Sequence, residues 1–411
     1  MYKIIIHLIL LIDMSFLYLI PIESLSIGTI GYYQKTGLVM ISISIIIIYS
    51  KKIFNNEVKY LFKNNILLLC FMVFISINLS KLTYNQSFLS ILSVSSQYIV
   101  LITYFLINYA LSKNISLKDF EVIVMKYTII LSILFIIQYI VYSVSGNLFL
   151  NIKLGTRYDS IRIYESDYFL VFGSILSYSN IFKLSNNSRE KNISVIAFIL
   201  SFIEVVFISK SRMGLIMILI SCFIVSLIRY RTNLVKQTMI IFICLISALI
   251  LINIPIIKKA FLSISANDTS LIIRERAFEF YGEQFKEKPL LGVGFIKPIE
   301  NDYSYYLARG YNGMFYKEDM GILGSIHTLG IVFGVWYIFL CLKILKVIYI
   351  LYKYKLEREF IEIFGICILV ILGSIVMNPF DPQRVVVLII FIALVEASYR
   401  YSRYIIGTRR K

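Results

Sequence analysis

Apolar runs recur along almost the whole chain, at about 4–22, 36–50, 65–80, 88–111, 122–145, 168–183, 193–208, 213–228, 239–257, 320–342, 361–378 and 385–399. A helix needs roughly 20 apolar residues to cross the hydrocarbon layer, where no water can satisfy an exposed backbone amide or carbonyl. Runs of this length and number leave one architecture, an all-α polytopic integral membrane protein with about 12 transmembrane helices. No internal repeat, low-complexity linker or soluble-domain boundary interrupts the pattern, so residues 1–411 read as a single transmembrane domain. The first run follows Lys3 and ends at Ile20-Pro21-Ile22-Glu23 without a small-residue cleavage site. It is expected to be a retained span rather than a signal peptide.

The formal net charge of +17 sits in short clusters between the apolar runs, not along one soluble face. That distribution argues against a nucleic-acid partner and encodes topology instead. With both termini cytoplasmic, 24 Lys and Arg fall inside and only 8 in short outside loops, the nine of one long loop being exempt. The outside basic residues then need a reason: Lys153, Arg157 and Arg162 in the 146–167 loop, Lys210 and Arg212 in the turn ISKSRMG, and Arg384 in NPFDPQR. They serve either as interfacial anchors or as a site for an external anion. Small Ser209, Ser211 and Gly214 permit close approach at that turn.

Several chemistries are unsupported. All five cysteines lie in apolar runs without a CxxC pair, and the two histidines, His7 and His327, are far apart in sequence. Neither a disulfide framework nor an imidazole-built metal site is expected. No Walker loop or strand-linked GxGxxG appears, so no nucleotide cofactor is expected.

The segment 258–319 is the one long hydrophilic stretch, inserted between the ninth and tenth spans as an extracytoplasmic loop. Its pattern predicts a helix over Thr269–Lys288, with Asp268, Thr269 and Ser270 as N-cap candidates and Pro289 as the stop. Leu271, Arg274, Phe278, Tyr281 and Phe285 fall near one line, and Arg276, Glu279, Glu283 and Glu287 fall opposite. Arg276 reads as solvated among acidic neighbours. Arg274, on the apolar side, either snorkels to the membrane boundary or meets an anion that suits its planar fork. A turn at 292–295 (GVGF) follows, then Tyr303, Tyr305, Tyr306, Tyr311, Phe315 and Tyr316, which read as an aromatic belt or as a platform for sugar faces.

Four stretches together resemble the O-antigen polymerase and O-antigen ligase superfamily, over roughly residues 120–380. RIYESDYFLVFG (162–173) looks like the family's Arg-containing loop entering a span, and ISKSRMGLIMIL (208–219) like its Ser-Arg-small turn. SLIIRERAFEFYGEQFKEKPLLGVGF (270–295) is similar to its R-x(n)-P-[IL]-x-G-x-G-[FY] stretch. EDMGILGSIHTLGIVFG (318–334) is similar to its final stretch, with Asp319 eleven residues before Gly330. One departure stands out. Ligases typically carry His where Asp319 aligns, and His327, eight residues later, does not match, so it reads as a packed imidazole and the departure favours a polymerase.

The resemblance implies transfer of a growing glycan from undecaprenyl pyrophosphate onto the next lipid-linked repeat unit, at the outer face of the bacterial cytoplasmic membrane. Surface polysaccharide of the O-antigen, capsule or exopolysaccharide kind would be the product, made without metal or nucleotide. It implies Asp319, Arg274 and Arg212 as catalytic residues, and Arg162, Lys210, Arg157, Glu165 and Glu318 as substrate-binding ones. Asp167 competes with Asp319 for the role of base. The expected partners are the lipid-linked oligosaccharide, the bilayer, and a chain-length regulator and flippase of the same pathway. A glycan ligase is the alternative, and a polysaccharide flippase or other transporter a further one. A transporter would usually show paired halves and midplane charge, whereas here charge concentrates in the outer loops.

Overall fold

A chain that must satisfy its backbone within lipid folds as helices, and it does so here. The computed structural model describes residues 2–19, 30–54, 60–113, 115–157, 160–182, 188–242 and 269–409, with the side chains of Tyr2, 30–34, Lys52, Arg157, 269–271 and Arg409 left aside. The helices are α1 (Tyr2–Asp13), α2 (Ile30–Ile48), α3 (Lys63–Tyr84), α4 (Phe88–Lys113, tightened by a 3-10 turn at Val100–Ile102), α5 (Leu117–Ser145), α6 (Asp167–Ile181) and α7 (Ser188–Ile208). They continue as α8 (Arg212–Arg229), α9 (Thr269–Glu287), α10 (Tyr303–Arg309), α11 (Ile322–Lys353), α12 (Glu357–Val376) and α13 (Val385–Arg409). Residues 234–242 begin a further helix.

Eight of these, α3, α4, α5, α7, α8, α11, α12 and α13, are long and apolar enough to cross a membrane. Three more of the apolar runs lie on α1, α2 and α6. The run at 239–257 lies outside the described residues beyond 242, as do Lys59, Lys183, Cys244 and Asp268. The protein is thus an all-α polytopic membrane protein, with two corrections to the sequence reading. The 146–167 loop contains a small antiparallel hairpin, β1 (Leu154–Arg157) on β2 (Ser160–Ile163). The tenth run, expected to end near 342, continues as helix to Lys353 and carries Lys343, Lys346 and Lys353.

The helices sort by burial. Val385 through Val395 are each no more than 2% exposed, so α13 is apolar all round and forms the axis of the bundle. Helix α3 exposes Leu67, Leu68, Phe71 and Phe74, and α11 exposes Ile331, Val335, Ile338 and Phe339, which suits faces that meet lipid. Helix α6 lies between, packed against α5, α7, α8 and α12. Ser116 and Ser211 cap α5 and α8 by accepting from the amides of Asp119 and Gly214.

Candidate functional site

Four loop regions meet at one end of the bundle: the β-hairpin with 164–166, the turn 209–211, the 288–321 stretch beneath α9, and 377–384 before α13. Hydrogen bonds stitch them together. The Lys210 ammonium donates to Ser160 Oγ at 2.9 Å and to the Ile161 carbonyl, fixing the turn to β2. Ser211 bonds the Asp167 carboxylate at the start of α6. The Asn378 amide donates to the Glu318 carbonyl at 3.0 Å, and Arg384 reaches the same carbonyl at 3.5 Å.

A continuous chain of charge results. Arg162 acts on Lys210 as a like charge and on Asp167 as an opposite one; burial first, and Arg162 second, lower the Lys210 ammonium. Arg384 pairs with Asp381 at 3.0 Å, both side chains largely buried, and also feels Asp167 and Asp319. Asp319 faces Arg274 at 4.0 Å, and Glu318 faces Arg309 at 3.9 Å. The Nε of Arg162 is buried without a hydrogen-bond partner among the described residues, and its guanidinium lies over the Tyr164 ring at 5.1 Å. Lys317 lies over the Tyr281 ring at 5.6 Å, and burial lowers its ammonium to about 8.

The pairs differ in what they do for stability. Arg274 and Asp319 are 36% and 46% exposed, and a pair this wet contributes about 0–1 kcal/mol. Arg384 and Asp381 are 13% and 12% exposed, and breaking a buried pair costs about 3–5 kcal/mol. The first is dispensable for folding, whereas the second holds the 377–384 loop.

The glycines of the two sequence stretches, Gly292, Gly294 and Gly330, explain how α9 is positioned. Helix α11 breaks at Gly330, where φ is 81° and ψ 180°. The break frees backbone groups, and the chain leaving α9 satisfies them. Val293 and Gly294 amides donate to the His327 and Thr328 carbonyls at 2.8 and 2.9 Å, and the Ile331 amide donates to the Pro289 carbonyl at 2.9 Å. The backbones approach so closely that a Cβ on Gly330 would lie 1.9 Å from the Leu290 carbonyl oxygen, and one on Gly292 2.5 Å from the Gly330 nitrogen. Irregular backbone inside a membrane bundle is tolerated where protein buries it, as here.

Of the expected site residues, Arg162, Lys210, Glu165, Glu318, Asp319 and Arg274 belong to this end. Arg212, half-buried, opens α8 directly after the Ser211 that bonds Asp167. The side chain of Arg157 lies outside the described residues. Helix α9 begins and ends as expected, but its buried face runs through Ala277, Tyr281 and Gln284, while Phe278 is 41% exposed. The small Ala277, 3% exposed, takes the inward position that the periodicity assigns to Phe278. His327 is a packed imidazole, as expected: it meets Gln284 at 3.1 Å and lies against Tyr281. Sequence reasoning missed Arg309, Lys317 and Asp381 as members of the cluster. It singled out Arg384 only as an outside cation. Arg309 and Lys317 meet Glu318 and Tyr281 only through packing, whereas Asp381 pairs with Arg384 three residues on.

Burial pushes the Glu165 carboxyl up to about 7, with Lys153 opposing and Asp167 and Asp381 adding like charge. The folded state therefore holds a proton here that the unfolded chain releases near 4.5, so stability falls as pH rises from about 4.5 to 7. Glu165→Gln should flatten this slope in melting-temperature measurements across that range. Parallel profiles for variant and wild type would show that Glu165 does not titrate in this way.

Residues 196–318 match the family model described as O-antigen ligase. The matched segment contains Lys210, Arg212, Arg274 and Glu318 and stops one residue before Asp319. No curated protein matches the chain.

Proposed function

We propose, from the match of residues 196–318 to the O-antigen ligase family model, that the chain is a glycan-transferring membrane enzyme that polymerises lipid-linked repeat units of a surface polysaccharide. The growing glycan moves from undecaprenyl pyrophosphate to a hydroxyl of the next lipid-linked unit, outside the bacterial cytoplasmic membrane, with both termini cytoplasmic. The chain acts as a single membrane domain with 258–319 inserted between spans nine and ten. The observation that carries the reading is the wet Arg274–Asp319 pair, held by a docked loop beside further cations yet contributing little to stability.

In this reading the acceptor hydroxyl attacks the anomeric carbon of the carrier-linked sugar while the bond to the diphosphate oxygen breaks. The hydroxyl proton passes to a carboxylate, for which Asp319 is assigned, with Glu318, Glu165 and Asp167 nearby. Charge grows on the departing diphosphate, and guanidinium groups fixed in advance stabilise it. Arg274 and Arg212 are assigned to that task; Arg162, Lys210 and Arg157 hold the carrier headgroup. Energy resides in the glycosyl phosphate bond, so the residues need supply only position and charge. Protein partners would be the flippase and chain-length regulator of the same pathway.

The family description favours a second reading, a ligase that uses the same site but a different acceptor. In proteoliposomes loaded with the lipid-linked repeat units of the producing cell, the wild type should build a ladder of longer lipid-linked glycans, and Asp319→Asn should lose it. Transfer only onto a glycan that is not carrier-linked would decide for the ligase. Movement of the lipid across the bilayer without transfer would refute both.

A further inference from the structure

Between the glycine turn and Asp319 the chain folds around an open cleft of about 660 Å³. Tyr303, Tyr305, Tyr306 and Tyr311 line it together with Glu300 and Asp302. Tyr303 and Tyr311 are 68% and 85% exposed, and their rings flank Tyr306 at 5.7 and 4.2 Å. Rings left this exposed gain little from packing within the protein. Carboxylates set among them are poorly suited to a position at the hydrocarbon boundary, where charge is expensive.

The composition selects a ligand class. A sugar ring offers a face of C–H groups to an aromatic ring and hydroxyl donors around its rim. Glu300 and Asp302 accept hydroxyl hydrogen bonds strengthened by their charge, and they repel phosphate and other anions. The cleft is also held in place. Tyr281 donates to the Ala308 carbonyl at 2.8 Å and Gln284 to the Leu307 carbonyl at 3.2 Å, which lock α10 to α9. The far end of α10 carries Arg309, the partner of Glu318. Gly310 and Tyr311, which close the cleft, directly follow Arg309, so the cleft adjoins the Arg309–Glu318 pair, whereas neither Arg274 nor Asp319 lines it.

We propose that the Tyr303–Tyr311 cleft is a subsite for a neutral sugar of the glycan, set back from the sugar that reacts. This rests on the transferase reading, because the glycan is supplied by it. The cleft would then select which repeat units are extended, without touching the bond that forms.

The test uses full-length protein in nanodiscs and the repeat-unit oligosaccharide freed by mild acid from the lipid-linked pool of the producing cells. Saturation-transfer NMR should show contact between protein and sugar ring protons. Tyr303→Ala/Tyr311→Ala should weaken binding about tenfold and raise KM for the lipid-linked unit with kcat nearly unchanged. Tyr303→Phe/Tyr311→Phe, which keeps both ring faces, should restore most of the affinity. Arg274→Ala should bind the free oligosaccharide as the wild type does. No saturation transfer in the wild type, or undiminished transfer in the double alanine variant, overturns the subsite. Binding that follows the tyrosines in a protein that makes no ladder keeps the subsite and removes the polymerase reading. A ladder indifferent to the tyrosines does the reverse.

Discussion

Arg274→Ala should reduce chain extension by about 10²–10³-fold while leaving the protein folded. The expectation follows from two magnitudes. A guanidinium 36% exposed and 4.0 Å from a carboxylate 46% exposed contributes about 0–1 kcal/mol to stability, so its loss should hardly move the melting temperature. A cation fixed where leaving-group charge develops contributes about 2.7–4 kcal/mol to the barrier. Activity and stability should therefore separate widely at this position. Arg274→Lys should recover only part of the rate, since an ammonium keeps the charge but not the planar fork that meets two phosphate oxygens. The measurement is the initial rate of ladder growth in proteoliposomes beside a thermal melt of the same preparation. A variant that extends glycan at the wild-type rate would remove Arg274 from the mechanism.

Gly330→Ala should undock the loop and abolish extension for a different reason. Its φ of 81° with ψ of 180° lies in a region open almost only to glycine and costs a residue with a Cβ about 1–3 kcal/mol. The added methyl would also lie 1.9 Å from the Leu290 carbonyl, so the backbone of 289–293 must withdraw. That withdrawal breaks the hydrogen bonds of Val293, Gly294 and Ile331, each contributing about 0.5–1.5 kcal/mol net and more if the freed groups stay buried. Helix α9, which leads directly into this loop, would carry Arg274 away from Asp319. Hydrogen exchange at the amides of 293, 294 and 331 reads the effect, and a large loss of protection is expected together with loss of the ladder. Gly282→Ala is the control, because no atom lies within 4 Å of the new methyl and alanine favours a helix interior. Unchanged exchange in Gly330→Ala would mean that the glycine contact does not hold the loop.

The two variants fail in distinguishable ways: one removes a charge from an intact frame, the other removes the frame. Their contrast also shows which parts of the site are legible in a single sequence. Arg274 is conspicuous because it is a guanidinium on the apolar side of a predicted helix, and Asp319 because of its place in the stretch that resembles the family's last motif. Gly292, Gly294 and Gly330 are visible as a pattern, but the spacing does not say that the first two lie against the third. Arg309 and Lys317 carry no local signal and matter through Glu318 and Tyr281, neighbours that packing supplies, while Asp381 matters through Arg384, three residues on in the same loop. Phe278 is the reverse case, a large apolar residue that the periodicity turns inward and the structure leaves 41% exposed.

The sequence by itself determined the class of fold and the places where charge must be accounted for, since bilayer thickness and backbone hydrogen bonding leave a long apolar run almost no choice but a helix. It also determined the ends of α9, through local propensity and Pro289. Tertiary structure alone decided which charges meet, which face of α9 is buried, and that the break in α11 is sealed by the chain after α9. Those outcomes depend on contacts between segments tens to hundreds of residues apart, such as Lys210 with Ser160, Asp167 with Arg384 and Val293 with His327. No local pattern specifies such meetings, because each is fixed by how the whole bundle packs.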